Sequence, residues 1–113
     1  MKTKTYKFVP EEWFTPNTYD RNFKSPTENS GVYLIVRPIF RGDNSVSWIT
    51  DYDILYIGSA KNLKIRYSNH EVLRILSQVF SYLQFYFKEE KNYKTVERDL
   101  IKRIEPKFNQ QWR

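Results

Sequence analysis

The sequence predicts an α+β fold in which a three-stranded antiparallel sheet is flanked by helices, in the order β-β-α-β-α. Two runs of β-branched and aromatic residues, GVYLIV at 31–36 and ILYIG at 54–58, read as strands. A third run, FSYLQFYFK at 80–88, alternates along its length. Between and after these runs the apolar spacing changes to about 3.6 residues, the period of a helix with one buried face.

Residues 1–29 hold Pro10, Pro16 and Pro26 among Trp13, Phe14, Tyr19 and Phe23, without strand or helix period. They read as an aromatic arm packed on a domain that occupies 30–113. The first strand follows the turn-prone ENSG and ends ahead of Pro38. Residues 37–53 contain Gly42, Asp43 and Asn44, which close a long hairpin and make the first two strands antiparallel. Alternation then groups Tyr33 with Gly31 and Ile35, and Tyr56 with Ile54 and Gly58.

From Asn62 onward, Leu63, Arg66, Tyr67 and His70 fall at helical spacing, and a second helical piece through about Ser77 carries Val72, Leu73, Ile75 and Leu76. In the third strand Leu83, Phe85 and Phe87 share one face, and Tyr82, Gln84 and Tyr86 the other. After the polar EEKN, the segment YKTVERDLIKRIEP gives a last helix that stops before Pro106, because the residue preceding a proline is kept out of helical backbone.

Composition narrows the chemistry. Eighteen per cent aromatic content gives 113 residues enough buried area for one core. The absence of cysteine excludes disulfide scaffolds, thiolate zinc sites and thiol catalysis. A single histidine excludes a multi-histidine cluster, which leaves oxygen ligands and a hard cation such as Mg²⁺. No apolar run approaches the roughly 20 residues that span a bilayer, and no apolar segment follows the basic start. A soluble, cytoplasmic protein without a membrane partner is expected. The net charge is +6, and residues 61–113 hold twelve Lys and Arg against six Asp and Glu, so the whole excess lies there. That clustering suits a polyanion, although a mild basic bias also serves solubility alone.

On the last helix Val96, Leu100, Ile101 and Ile104 form an apolar stripe, and Glu97 is the one charged residue inside it. A carboxylate facing a core costs on the order of several kcal/mol unless it is paired, protonated or metal-bound. Either Glu97 sits in a frayed first turn, where acids gain about 0.3 to 1 kcal/mol, or it belongs to a site. Arg66 and His70 share a face with Leu63 and Leu73. Taken singly, each has a structural explanation, as a core-edge salt bridge and a satisfied histidine. Tyr33 and Tyr56 can lie side by side if the register allows, and each alone is ordinary packing. Their joint convergence with Glu97 is what points to chemistry.

GVY at 31–33, YIG at 56–58, Arg66 and His70 within AKNLKIRYSNH, Glu97 within VERDLI, and Pro106 with Asn109 in EPKFN resemble the GIY-YIG nuclease family in order and mostly in spacing. The likeness covers about residues 30–109. A tripeptide alone is weak, whereas five ordered motifs with an inward glutamate are specific. The resemblance implies the same three-stranded sheet and a divalent-cation-dependent phosphodiesterase that cuts DNA. By that resemblance Glu97 is the single protein ligand of Mg²⁺ or Mn²⁺, and Arg66 binds and neutralises the scissile phosphate. Tyr33 and Tyr56 orient or deprotonate the attacking water, His70 assists in proton transfer or phosphate contact, and Asn109 braces the site.

These roles suit a reaction whose centre gains negative charge and is met by a fixed cation and a metal. Arginine matches phosphate oxygens and does not titrate. A tyrosine base is harder, since its pKa near 10 must fall by about three units, roughly 4 kcal/mol. The sequence leaves open which tyrosine serves, or whether a metal-bound hydroxide does.

Two departures from the family stand out. The connection from Tyr33 to Tyr56 is much longer than usual, so Arg37, Arg41 and Trp48 are expected on a protruding loop that contacts DNA or another subunit. Ser59 follows the YIG glycine where some members, notably the bacterial excision-repair incision subunits, carry lysine. Gly58, Lys61 and Lys64 are then the expected phosphate contacts. The expectation is a stand-alone endonuclease of phage, restriction or repair type, monomeric or homodimeric, acting on duplex or branched DNA. With no room for a separate DNA-reading module, its specificity is expected from the arm, the hairpin or dimerisation. RNA is a further candidate, because phosphodiester chemistry does not itself read the 2′-hydroxyl. The alternative is a catalytically silent nucleic-acid-binding or accessory protein of the same fold, for which a carboxylate beside phosphates has no purpose.

Overall fold

The run GVYLIV is apolar on both faces, and such a strand needs a neighbour on each edge and a layer on each side. The computed structural model gives it both. Strands β1 (Thr5–Tyr6), β2 (Gly31–Gly42), β3 (Ser47–Ala60) and β4 (Gln84–Glu89) form one sheet in the order β1-β3-β2-β4, and every pairing is antiparallel. Helices α1 (Leu63–Ser68) and α2 (Glu71–Val79) precede β4, and α3 (Tyr93–Ile104) follows it. The three-stranded antiparallel core with flanking helices is as expected, and the two-residue β1 adds a short fourth strand. The structure describes residues 5–6, 13–20, 22–42 and 47–109, with the side chains of 5, 6, 41 and 47–50 outside the description.

Two apolar layers sandwich the sheet. Val32, Leu34, Val36, Ile54, Ile57 and Tyr86 pack with Trp13 and Leu100 on one face, where α3 lies. Tyr33, Ile35, Leu55, Tyr56, Phe85 and Phe87 pack with Leu63, Val72 and Leu76 on the other, under α1 and α2. The stripe assigned to α3 is the one it buries, with Val96, Ile101 and Ile104 around Leu100.

Four expectations are corrected. First, the strands do not stop at Val36 and restart at Ile54: within the expected long hairpin β2 and β3 stay paired to Gly42↔Ser47, so Arg37 lies on the ladder and not on a protruding loop. The turn at 43–46 and the side chains of Arg41 and Trp48 lie outside the described residues. Second, Ile54 does not share a face with Tyr56. Ile35 pairs with Tyr56 but Val36 pairs with Ile54, so Leu55 is an extra residue that reverses the parity of β3. Ile54 consequently joins the α3 layer, and Leu55 and Tyr56 both join the other. Third, His70 lies beyond α1, at the N-cap of α2. The fourth strand also starts later than its alternation proposes, at Gln84, because Phe80 still closes α2.

Residues of the arm tie down both layers. Trp13 is buried with the α3 layer, and Phe14 exchanges two backbone hydrogen bonds with Phe87 at the outer edge of β4. The first amides of a helix lack intrahelical partners. In α1 the Leu63 and Lys64 amides donate instead to the carbonyls of Asn29 and Thr27, at 3.0 and 2.8 Å, and Asn62 Oδ1 caps Ile65. Among the described residues no helix is long and apolar enough to cross a membrane.

Candidate active site

Antiparallel register sets the tyrosines together. Tyr33 faces Gly58 and Ile35 faces Tyr56, so the tyrosines are diagonal neighbours, with ring centroids 6.3 Å apart and planes 28° from parallel. Phe85 of β4 stacks on Tyr33 at 5.2 Å, and His70 stands edge-on at 4.7 Å from Tyr33 and 6.2 Å from Tyr56. A Cβ at Gly58 would collide with Cζ and Oη of Tyr33. Glycine at the third position of YIG therefore makes room for the phenol that crosses it.

The half-buried Arg66 approaches from α1, and its Nε donates to Tyr33 Oη at 3.3 Å. Burial pushes the Tyr33 phenol up to about 12, against the opposing pull of Arg66, and Tyr56 and Glu97 add to the rise. Tyr33 is thus a neutral phenol at physiological pH. His70 is also neutral, since burial and then the Arg66 charge lower its pKa to about 4. Its Nδ1 accepts the Leu73 amide at 3.1 Å, which assigns the ring proton to Nε2. That nitrogen is buried and has no hydrogen-bond partner among the described residues.

Glu97 comes from the opposite face. Ser59 pairs with Val32 and so lies on the α3 side of β3, where its hydroxyl donates to Glu97 Oε1 at 2.6 Å. Glu97 is half-buried and is the fifth residue of α3, one turn past the frayed start considered above. Its charge is among those that raise the Tyr33 phenol, and the two halves of the site are linked through adjacent residues of β3, Gly58 under the Tyr33 ring and Ser59 bonded to Glu97.

Asn109 closes the edge of that strand. Its Oδ1 accepts from the Ile57 amide at 2.8 Å and its Nδ2 donates to the Ile57 carbonyl at 2.7 Å, so one side chain stands in for a neighbouring strand. The Phe108 amide does the same for the Leu55 carbonyl. Both satisfy an edge that β1, among the described residues, covers at Tyr52 and Asp53.

The expected substrate contacts are placed less centrally. Lys61 and Lys64 are exposed at the start of α1. Arg37 lies four residues along β2 from Tyr33, about 13 Å. It is paired with buried Asp53 at 3.1 Å and sits 5.3 Å over the Phe80 ring, so its charge is already met. Burial raises the Asp53 carboxyl, and Arg37 opposes that rise.

Ser59 is the partner that sequence reasoning missed. Strand parity held the signal, because the residue after Gly58 must face α3. Alternation gives Phe85 its face, but its stacking on Tyr33 depends on the β2–β4 register, which pairs Ile35 with Phe85.

Over 66 residues, 52% of this chain, the protein is 35% identical to UvrABC system protein C of Mycoplasma mycoides subsp. mycoides SC. The match covers 11% of that relative, so the chain spans about a tenth of its length. No family model matches the chain, and no solved structure matches it with statistical significance. What these comparisons establish is a partial similarity to UvrABC system protein C.

Proposed function

We propose that this domain is a divalent-metal-dependent nuclease of the GIY-YIG type that hydrolyses phosphodiester bonds in DNA. One observation carries the reading: adjacent residues of β3, Gly58 and Ser59, set the Arg66-bonded Tyr33 and the Ser59-held Glu97 at the same strand end, a cation suited to phosphate and a carboxylate suited to a metal. The stretch similar to UvrABC system protein C supports it.

The donor set decides which metal fits. Among the described residues no three of His, Cys, Asp and Glu gather into a cage. A single carboxylate suits Mg²⁺ or Mn²⁺, which complete their shells with water and substrate phosphate oxygens. Glu97 would hold such an ion, which when bound supplies Lewis-acid stabilisation of the charge that develops at phosphorus. Arg66 neutralises the same charge from the other side. At neutral pH, ionising Tyr33 from about 12 would cost about 7 kcal/mol. Tyr33 therefore serves as a neutral phenol that orients the water or a phosphate oxygen, and Tyr56 is left as the candidate base. His70 contributes a neutral N–H rather than a proton shuttle, because its Nδ1 is committed to Leu73. Asn109 holds β3 in place behind them.

The test is cleavage of supercoiled plasmid by the full chain with Mg²⁺, with Mn²⁺ and with EDTA. Metal-dependent nicking or linearisation supports the nuclease. A protein that binds but never cuts duplex, branched or single-stranded DNA is instead the accessory protein of the same fold.

A further inference from the structure

An open pocket of about 530 Å³ lies at the junction of α1 and α2, lined by Tyr67, Asn69, His70, Glu71 and Arg74 among others. Its size falls within the roughly 300 to 1,000 Å³ typical of small-ligand sites. We infer that it receives one nucleotide of the substrate strand next to the scissile phosphate, with the base against Tyr67. The inference rests on the nuclease reading and extends it to where the substrate is recognised.

Continuity with the candidate site is the first argument. Tyr67 follows Arg66 on α1, and its ring lies 4.8 Å from Phe85, which stacks on Tyr33. His70 is a wall of the pocket and touches both site tyrosines. A phosphate at Arg66 therefore has its neighbouring nucleotide within reach of Tyr67.

Chemistry of the lining is the second. Tyr67 is 37% exposed, so part of its aromatic face is open beside the pocket. Aromatic faces take bases by stacking, whichever base is present. Exposed Arg74 suits a phosphate, and the Asn69 amide and Glu71 carboxylate can meet donors and acceptors on a base edge. A purely apolar ligand would leave these polar groups unpaired. A bare anion would have no use for Tyr67 and would be repelled by Glu71.

The test is fluorescence anisotropy with a fluorescein-labelled DNA duplex over a range of salt concentrations, using the full chain carrying Glu97→Gln so that turnover does not interfere. Adding Tyr67→Ala is expected to weaken binding about tenfold at every salt concentration with an unchanged salt slope, since stacking releases no counterions. Tyr67→Phe is expected to stay within about twofold, and Arg74→Ala to weaken binding with a shallower slope. If the parent binds and both Tyr67→Ala and Arg74→Ala bind equally well, the pocket is overturned while the nuclease reading stands. If the parent binds no duplex, branched or single-stranded DNA, both fall. Should Tyr67→Ala melt far below the parent, Tyr67→Leu and Arg74→Ala carry the same comparison.

Discussion

Arg66 Nε donates to the Tyr33 hydroxyl at 3.3 Å, which holds a permanent cation against a phenol that burial keeps protonated. The pair acts as a unit, with the phenol oriented by the guanidinium and the guanidinium aimed by the phenol. Tyr33→Phe keeps the ring over Gly58 and removes only the hydroxyl. Cleavage is expected to fall about a hundredfold, as for loss of one preorganised donor, with little change in DNA affinity, which a gel cleavage assay beside a binding titration will check.

Ser59 supplies the hydrogen bond that fixes one oxygen of Glu97. Partners of metal-holding carboxylates typically contribute roughly 10- to 100-fold in metal affinity or activity. Ser59→Ala should therefore raise the Mg²⁺ concentration needed for half-maximal cleavage by about tenfold and leave the melting temperature nearly unchanged.

Acid should weaken the fold through His70. Its pKa drops from 6.5 to about 4 on folding, so the unfolded chain takes up the proton first as pH falls. The stability contributed by neutral His70 is complete above pH 6.5 and is lost between 6.5 and about 4, a span worth about 3 kcal/mol. Buried Asp53, with a raised pKa, acts in the opposite direction. The comparison is therefore between wild type and His70→Asn, which retains an N-cap acceptor for Leu73. Denaturant unfolding at a series of pH values should show a flatter acid limb in the variant.

Asn109 spans the amide and carbonyl of Ile57 with a side chain that is 3% exposed. Asn109→Ala leaves both backbone groups unmet at the edge of β3, at a cost of about 3 kcal/mol. Urea unfolding should show a lower midpoint with an unchanged slope.

Much of this arrangement is legible in the residues. The stripe through Val96, Leu100 and Ile104 gives α3 its buried face, and the charged residue inside that stripe, Glu97, is the one that bonds to the sheet. Other features depend on long-range pairing. The extra residue at Leu55 shows only when β2 and β3 are placed in register, and it alone explains why Ile54 and Tyr56 part company. The break between α1 and α2 has a local cause, since His70 Nδ1 caps the new helix, but histidine is an uncommon N-cap and helical spacing runs straight through it. The length of the β2–β3 ladder was hidden by Pro38, which pairs within β2 opposite Tyr52 although it lacks an amide to donate.

The central claim is that Glu97 holds the metal of a nuclease. It is tested most directly by measuring cleavage and affinity on the same DNA for wild type and Glu97→Gln with saturating Mg²⁺. The account predicts that cleavage disappears in the variant while affinity is equal or better, because a carboxylate near phosphates is removed. Cleavage by Glu97→Gln at the wild-type rate would contradict it.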